Sequence, residues 1–458
     1  MNAGLFQLTF RHVRVLWALV LLPLLLGLNG SASAQSFSVL YTFTGYNSSN
    51  PSASDGAAPA AGLTIDSGGY LYGTTTYGGA SGDGAVFELN PFNVPHPDDQ
   101  VLYSFTGGSD GAAPVSRIVF GQDGNLYGST GATQFDDCSN GLTCGTVFTL
   151  TRLSPPCDPF CDWSLTTVHT FGGMTDGADP YGDLIFDSSN DIYGTTRYGG
   201  SHSAQAVCGD NSSQVSPPPV RYGCGTAFEL APQQNGRGIS WQYSNLWDFY
   251  SSSNDGIEPV AGLMSGCSGS LFGTTLIGGQ YHYGTTFQLA SGSETIVHAY
   301  DDGSRGGFQF ASLLSNGGNL YGVTADAGSA GAGTIYEVAA GAGCPLTYTP
   351  LASLTGIQFA LQGSRGPLVM DSQGNLWGTQ TIGGGNNYGD IFKLDAGTYN
   401  YHDMHDFVGS DGAYPVGGLV MDSSGNLYGV TSSGGQSCTL TAGSNNILGC
   451  GVVFKYTP

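Results

Sequence analysis

A five-residue string, Gly/Asn-x-aliphatic-aromatic-Gly, occurs seven times along the chain: GYLYG at 69–73, GNLYG at 124–128, NDIYG at 190–194, GSLFG at 269–273, GNLYG at 318–322, GNLWG at 374–378 and GNLYG at 425–429. The aliphatic positions 71, 126, 192, 271, 320, 376 and 427 are separated by 55, 66, 79, 49, 56 and 51 residues. A unit of about 50 residues with inserts of varying size is therefore repeated, and only architectures built from stacked or ringed units remain open.

Each unit brings further elements in fixed order. An extended apolar segment such as Val39-Leu40-Tyr41-Thr42-Phe43 or Val101-Leu102-Tyr103-Ser104-Phe105 comes first. Asp-Gly-x-x-Pro follows at Asp55, Asp110, Asp176, Asp255 and Asp411, and eight residues after each Asp an aliphatic opens a second segment, as at Leu63 and Leu419. A tight Asp-x-x-Gly-Asn connection, the aromatic-Gly segment and a glycine-rich loop come next. Gly-x-aliphatic-Phe-x-Leu closes the unit, as in Ala85–Leu89, Thr146–Leu150 and Asp390–Leu394.

Four short β-branched or aromatic segments separated by Gly, Asn, Asp and Pro turns read as a four-stranded antiparallel meander. One such sheet cannot bury both its faces. Seven packed face to face around an axis can, so the sequence predicts an all-β, seven-bladed β-propeller; a β-helix would want a much shorter period. The units run over about 39–90, 101–150, 167–230, 243–290, 296–338, 350–394 and 402–456. The chain ends on a third-segment motif, Gly451-Val452-Val453-Phe454-Lys455-Tyr456, while Val39–Phe43 precedes the first full unit. If the Asp-Gly-x-x-Pro turn joins an outer strand to the next blade's inner strand, the N-terminal segment supplies the outer strand of the last blade and removes two exposed edges.

Composition agrees. Of 458 residues, 75 are Gly and only 11 Lys+Arg and 34 Asp+Glu are charged, which excludes a coiled coil and most helical folds. A 40% hydrophobic and 12% aromatic content still fills a large core. The net charge of −23 argues against nucleic acid or anionic lipid as the main partner, since both need basic surface. Arg11 and Arg14 before the apolar run Val15–Leu28, then Ala32-Ser33-Ala34, predict a signal peptide over 1–34 cleaved near Ala34. No other stretch is apolar enough to span a membrane. A secreted or periplasmic bacterial monomer is expected, with the propeller occupying 35–458.

In an oxidising compartment ten cysteines read as disulfides before metal ligands. Short-range pairs suggest themselves: Cys138 with Cys144, Cys157 with Cys161, Cys208 with Cys224 and Cys438 with Cys450. Cys267 and Cys344 either pair with each other or stay free.

The string Asp-Gly-x-x-Pro, aliphatic-x-x-Asp-x-x-Gly-Asn-Leu-Tyr-Gly-x-Thr, Gly-Gly and Gly-x-Val-Phe-x-Leu resembles the GloVer tandem repeat of exported bacterial proteins, and more distantly NHL-type propeller repeats. The resemblance covers nearly all of the mature chain. It implies a β-propeller without a common catalytic activity, often joined to a C-terminal surface anchor; here the last unit runs to Pro458, so no anchor is expected.

Most repeated residues read as structural. The Asp of Asp-Gly caps its turn, the Gly-Asn and Gly-Gly glycines supply positive φ and close approach, and Tyr72, Tyr127, Tyr193, Phe272, Tyr321, Trp377 and Tyr428 pack between blades. His169, His298 and His405 share a register with Tyr41, Tyr103 and Trp247 and read as aromatic packing residues with a polar tip. His402-Asp403 beside His405-Asp406 resembles a metal cluster, but strand alternation separates neighbouring side chains.

Departures from the repeat are where one ligand would be recognised. Arg305 and Ala360 stand where the other units have Asp, and the turns and Gly-Gly loops are expected on one face of the ring, with inserts that include His202, Asp210, Tyr281 and His282. A rim of Asp55, Asp110, Asp176, Asp255 and Asp411, broken by Arg305, would suit Ca²⁺ or a cationic or hydroxyl-rich ligand. Two functions follow. One is a non-catalytic exported propeller that binds an extracellular glycan or protein through its loop-bearing face. The other is a metal-assisted lyase or hydrolase at the mouth of the central channel, with His202 and His282 holding the ion.

Overall fold

A computed structural model describes residues 35–46, 54–92, 99–131, 144–153, 163–173, 175–201, 223–236, 238–250, 252–301, 306–326, 328, 331–340, 346–354, 366–436, 438–441, 444–446 and 449–458. Residues 1–34, expected from the sequence to be a signal peptide, lie outside them, and no helix among the described residues is long and apolar enough to cross a membrane.

Seven antiparallel sheets form a propeller. Blade 1 consists of Thr64–Ile65, Leu71–Thr75, Ala85–Leu89 and Asp99–Ser104, from the axis outward. The same order recurs in blades 2 to 6, whose third strands are Thr146–Arg152, Thr226–Asn235, Thr285–Ala290, Thr334–Ala340 and Asp390–Leu394. Blade 7 takes Ala413–Met421, Leu427–Ser433 and Val452–Thr457 from the C-terminal end and Ser36–Thr42 from the N-terminal end. The terminal strands pair antiparallel from Ser36 opposite Thr457 to Thr42 opposite Val452, so the latch predicted from the two chain ends closes the ring.

Two details differ from a plain meander. Most inner strands pair over only two residues, because the inner segments converge on the axis and touch their neighbours there. In blade 3 the outer hairpin is long, Thr226–Asn235 against Gly238–Asp248, where the sequence suggested short segments. The third–outer ladder of every blade carries a bulge at one equivalent place, as between Val86 and Phe87 or Ile391 and Phe392. A bulge reverses which face the last outer-strand residues occupy.

The core lies between blades. At five seams the aromatic that follows the outer strand packs edge-to-face on the third-strand aromatic of the next blade, with centroids 5.2 Å apart for Phe43–Phe87, Phe105–Phe148 and Phe171–Phe228, 5.0 Å for Phe249–Phe287 and 5.3 Å for Phe407–Phe454. These rings are almost wholly buried, and each such pair adds roughly 0.5–1.5 kcal/mol beyond its area. The register histidines join this layer as predicted. His298 stacks on Tyr348 and His405 on Phe37, each at 3.8 Å, and His169 lies 4.9 Å from Tyr243.

Candidate functional site

The Asp-Gly turns and Gly-Gly loops emerge together. Gly56–Ala57 pairs with Tyr77–Gly78, and Gly256–Ile257 with Ile277–Gly278, with single bridges at Ala178–Tyr198 and Gly307–Asp326. This is the loop-bearing face. The opposite face is formed by the Asp-x-x-Gly-Asn turns, which stay nearly identical: Asp66, Asp123, Asp187, Asp371 and Asp422 each accept a backbone N–H two residues on and lie within hydrogen-bond reach of the register aromatic's O–H or N–H.

The rim aspartates are engaged in their own turns. Asp55 accepts N–H bonds from Thr44 and Gly45 and the Tyr41 hydroxyl at 2.7 Å. Asp110 accepts from Thr106 N–H and Tyr103 Oη, Asp176 from Gly172 N–H, and Asp411 from Val408 N–H. His169 stands 3.5 Å from Asp176 and His405 3.0 Å from Asp411. Burial raises Asp55; for Asp176 burial is outweighed by His169 and the Gly172 amide, and the carboxyl sits below its ordinary value. Asp255 accepts Gly256 N–H and shares a hydrogen bond with Glu294, whose carboxyl burial and the Asp255 charge push up to about 9.

Next to these caps, the second x of Asp-Gly-x-x-Pro, or its equivalent Phe308 in blade 5, ties blades 1, 2, 3, 4, 5 and 7 to the blade before each of them. Ala58, Ala113, Asp179, Glu258, Phe308 and Tyr414 all have φ between 50° and 59°. Their amides donate to the carbonyls of Cys450, Asp83, Cys144, Cys224, Tyr283 and Tyr388 at 2.7–2.9 Å. A non-glycine residue in this left-handed region costs roughly 1–2 kcal/mol, and the inter-blade hydrogen bond holds it there. The result is a rigid frame that displays one side chain per seam.

Those side chains break the repeat. At the seams before blades 1 and 2 they are alanines. Asp179 and Glu258 enclose Arg197, whose Nε donates to Glu258 Oε2 at 2.9 Å and whose guanidinium lies 4.9 Å over the Tyr198 ring. Burial raises Glu258 and the adjacent arginine opposes it. At two seams the pairs are aromatic: Tyr283 with Phe308, 5.5 Å apart, and Tyr388 with Tyr414, 6.0 Å apart, both edge-to-face.

The channel mouth, where the sequence reading set its metal-assisted alternative, is a second asymmetric place, built from residues that reading did not single out. The residue before each inner aliphatic is Gly62, Arg117, Asp183, Gly262, Ser312, Pro367 and Gly418 in turn. Five of these are small or Pro, and a Cβ on Gly62 would meet the Gly417 carbonyl. Arg117 N–H donates to Asp183 Oδ1 at 2.8 Å, and its Nε stands 3.5 Å from Oδ2. A cavity of about 50 Å³ lies here, lined by one residue or more from every blade, among them Val115, Tyr181, Val260 and Phe310. At that volume there is room for one or two waters, and it falls short of the roughly 300 Å³ at which ligand pockets begin. The signal was legible as a single mixed column in the repeat alignment.

Of the remaining candidates, Tyr281 is 44% exposed and His282 is exposed with φ 70°, both immediately before Tyr283. Neither lines the channel mouth. His202, Asp210, Arg305, Ala360, Cys138, Cys157, Cys161, Cys208 and Cys344 lie outside the described residues, as do the side chains of Cys267 and Cys438. Cys144, Cys224 and Cys450 are fully buried and disulfide-bonded. Among the described residues no three His, Cys, Asp or Glu side chains come together to hold a metal ion. Asp403 does meet Asp406, which strict alternation along the strand would have kept apart: the bulge brings the two carboxyls into hydrogen-bond contact.

The fold and its repeated turns define a tandem-repeat propeller. The sequence matches the Gloeobacter/Verrucomicrobia repeat over residues 29–208 and 219–443, and the chain belongs to that family. A search of curated proteins finds no match. Similar solved structures include a gluconolactonase from Xanthomonas campestris (12% identity, TM-score 0.37, covering 93% of this chain and 89% of that one). A protein of unknown function from Dyadobacter fermentans (9%, 0.42, 92% and 99%) and a chain of a nidogen/laminin complex (11%, 0.38, 75% and 94%) are others.

Proposed function

We propose that the protein is an exported, non-catalytic propeller that binds an extracellular or periplasmic ligand, a glycan or a protein, through its loop-bearing face. One observation carries this reading: the two faces are treated differently by the repeat. The Asp-x-x-Gly-Asn face keeps the same hydrogen bonds in five blades. The loop-bearing face replaces equivalent side chains by alanine, acid or aromatic from seam to seam. A rigid ring that repeats for stability on one side and varies on the other concentrates recognition on the varying side. Export is supported by the N-terminal segment and the bonded cysteines.

The test uses residues 35–458 on a glycan array and in pull-downs from the cell exterior. A graft in which the blade 1 connection, residues 76–84, replaces the equivalent connections 276–284 of blade 4 and 381–389 of blade 6 is run alongside. The expected result is a ligand of one class, retained by the parent and by Asp66→Asn on the opposite face, and lost by the graft. No ligand of either class, or binding untouched by the graft, contradicts the reading.

A further inference from the structure

We infer that the two aromatic seams, Tyr283–Phe308 between blades 4 and 5 and Tyr388–Tyr414 between blades 6 and 7, are stacking subsites for a neutral polysaccharide laid across the loop-bearing face. The inference rests on that face being the binding face, and it names what the face binds. Both pairs occupy equivalent places: the first ring precedes the third strand of one blade, and the second stands on the left-handed residue of the next. The backbone bonds Phe308 N–H to Tyr283 O at 2.9 Å and Tyr414 N–H to Tyr388 O at 2.7 Å fix the ring-bearing residues to each other. Tyr and Phe so fixed offer large contact area at small entropic cost.

All four rings are half-buried, so each keeps surface for a partner. Frame stability does not require aromatics here, since alanine serves the same backbone role at Ala58 and Ala113. Hydrogen-bonding side chains stand just before each pair at matching positions: Tyr281 and His282 before Tyr283, and exposed Asn386 and Asn387 before Tyr388. Rings that cover the C–H faces of a pyranose, beside amide, hydroxyl and imidazole groups that meet its hydroxyls, fit a sugar better than a purely apolar ligand. A net charge of −23 disfavours uronate- or sulfate-bearing polymers. The two subsites are separated by the intervening blade seam, so a polymer long enough to reach both gains avidity that a monosaccharide lacks.

Affinity gel electrophoresis with hydroxyethylcellulose, laminarin, arabinoxylan, galactomannan and pullulan, and polygalacturonate as the anionic probe, tests this on residues 35–458. The variants are Tyr283→Leu/Phe308→Leu, Tyr388→Leu/Tyr414→Leu and the two combined, which keep apolar volume while removing the rings; thermal unfolding confirms that each folds. Phe92→Ala, 68% exposed beside the opposite-face turn at Gly69, is the control. The expected result is retardation by at least one neutral polymer, weakened at least about tenfold by either pair, abolished by both and unchanged in Phe92→Ala. Retardation that persists in the combined variant, or binding only to polygalacturonate or to a protein, overturns the inference and leaves the face as a binding face. Absence of any glycan or protein ligand overturns both.

Discussion

The repeat carries glycines with three different jobs, and only one of them is the usual left-handed turn. Gly69, Gly124, Gly374 and Gly425 in the Asp-x-x-Gly turns have φ near 80°, as their sequence context suggests. The glycine of the aromatic-Gly pair has ordinary φ and is fixed by a neighbour instead: a Cβ on Gly128 would lie 2.7 Å from the Phe148 ring, and the same clash recurs at Gly73 with Phe87 and Gly194 with Phe228. The glycine before the third strand meets the next blade's proline, as Gly145 does Pro180 and Gly225 does Pro259, and also has φ above 100°. Two motifs about 30 residues apart are thus two halves of one contact. Gly128→Ala is expected to destabilise by about 1–3 kcal/mol through overpacking. Adding Phe148→Leu should recover part of that loss, and a double-mutant cycle by denaturant unfolding measures the coupling; a purely additive pair would refute the ring clash as the cause.

At the scale of the element, the seams concentrate the charge chemistry. Arg197→Met would leave buried Glu258 and Asp179 without its charge, and a loss of about 3–5 kcal/mol is expected, partly restored by adding Glu258→Met. Unfolding midpoints of the two variants check this. Blade 6 shows another departure. Where blades 2, 3 and 4 pair threonine hydroxyls across strands two and three, as Thr130–Thr146 at 2.9 Å, blade 6 has Gln380 donating to Asp390 Oδ2 at 2.9 Å, with Tyr401, Asp403 and Asp406 around it. Burial, then the Asp403 charge, pushes Asp390 up to about 8, and burial with Asp406 pushes Asp403 up to about 6. A carboxyl raised in the folded state binds more protons folded than unfolded, so stability falls as pH rises from about 4 toward 8 or 9. Asp390→Asn keeps the Gln380 bond and is expected to flatten that decline, raising the midpoint at pH 8.5 while leaving it unchanged at pH 4; an unchanged slope would contradict the assignment. In the sequence, Asp390-Ile-Phe-Lys-Leu matched the closing motif and its odd first residue passed unnoticed, because the motif did not show that this position faces another strand's threonine.

For the whole molecule, the repeat count, the strand order and the end-to-end latch were all legible, since each follows from a spacing that inserts do not alter. The candidate site was legible only in part. Asp55, Asp110, Asp176 and Asp411 were identifiable as turn caps from local spacing, and Tyr281 was visible as an insert residue. The aromatic and charged seams were not, because their partners belong to neighbouring blades and come together only when the ring forms. Removing residues 35–43 would expose the edge of Val452–Thr457, and a lower unfolding midpoint with concentration-dependent association is expected in light scattering. The most direct test of the closed ring is hydrogen exchange on residues 35–458, comparing peptides over 36–42 and 452–457 with the second strand of blade 7, Leu427–Ser433. All three should be protected to the same extent and open together; a segment 36–42 that exchanges like a free tail while 452–457 stays protected would contradict the closure.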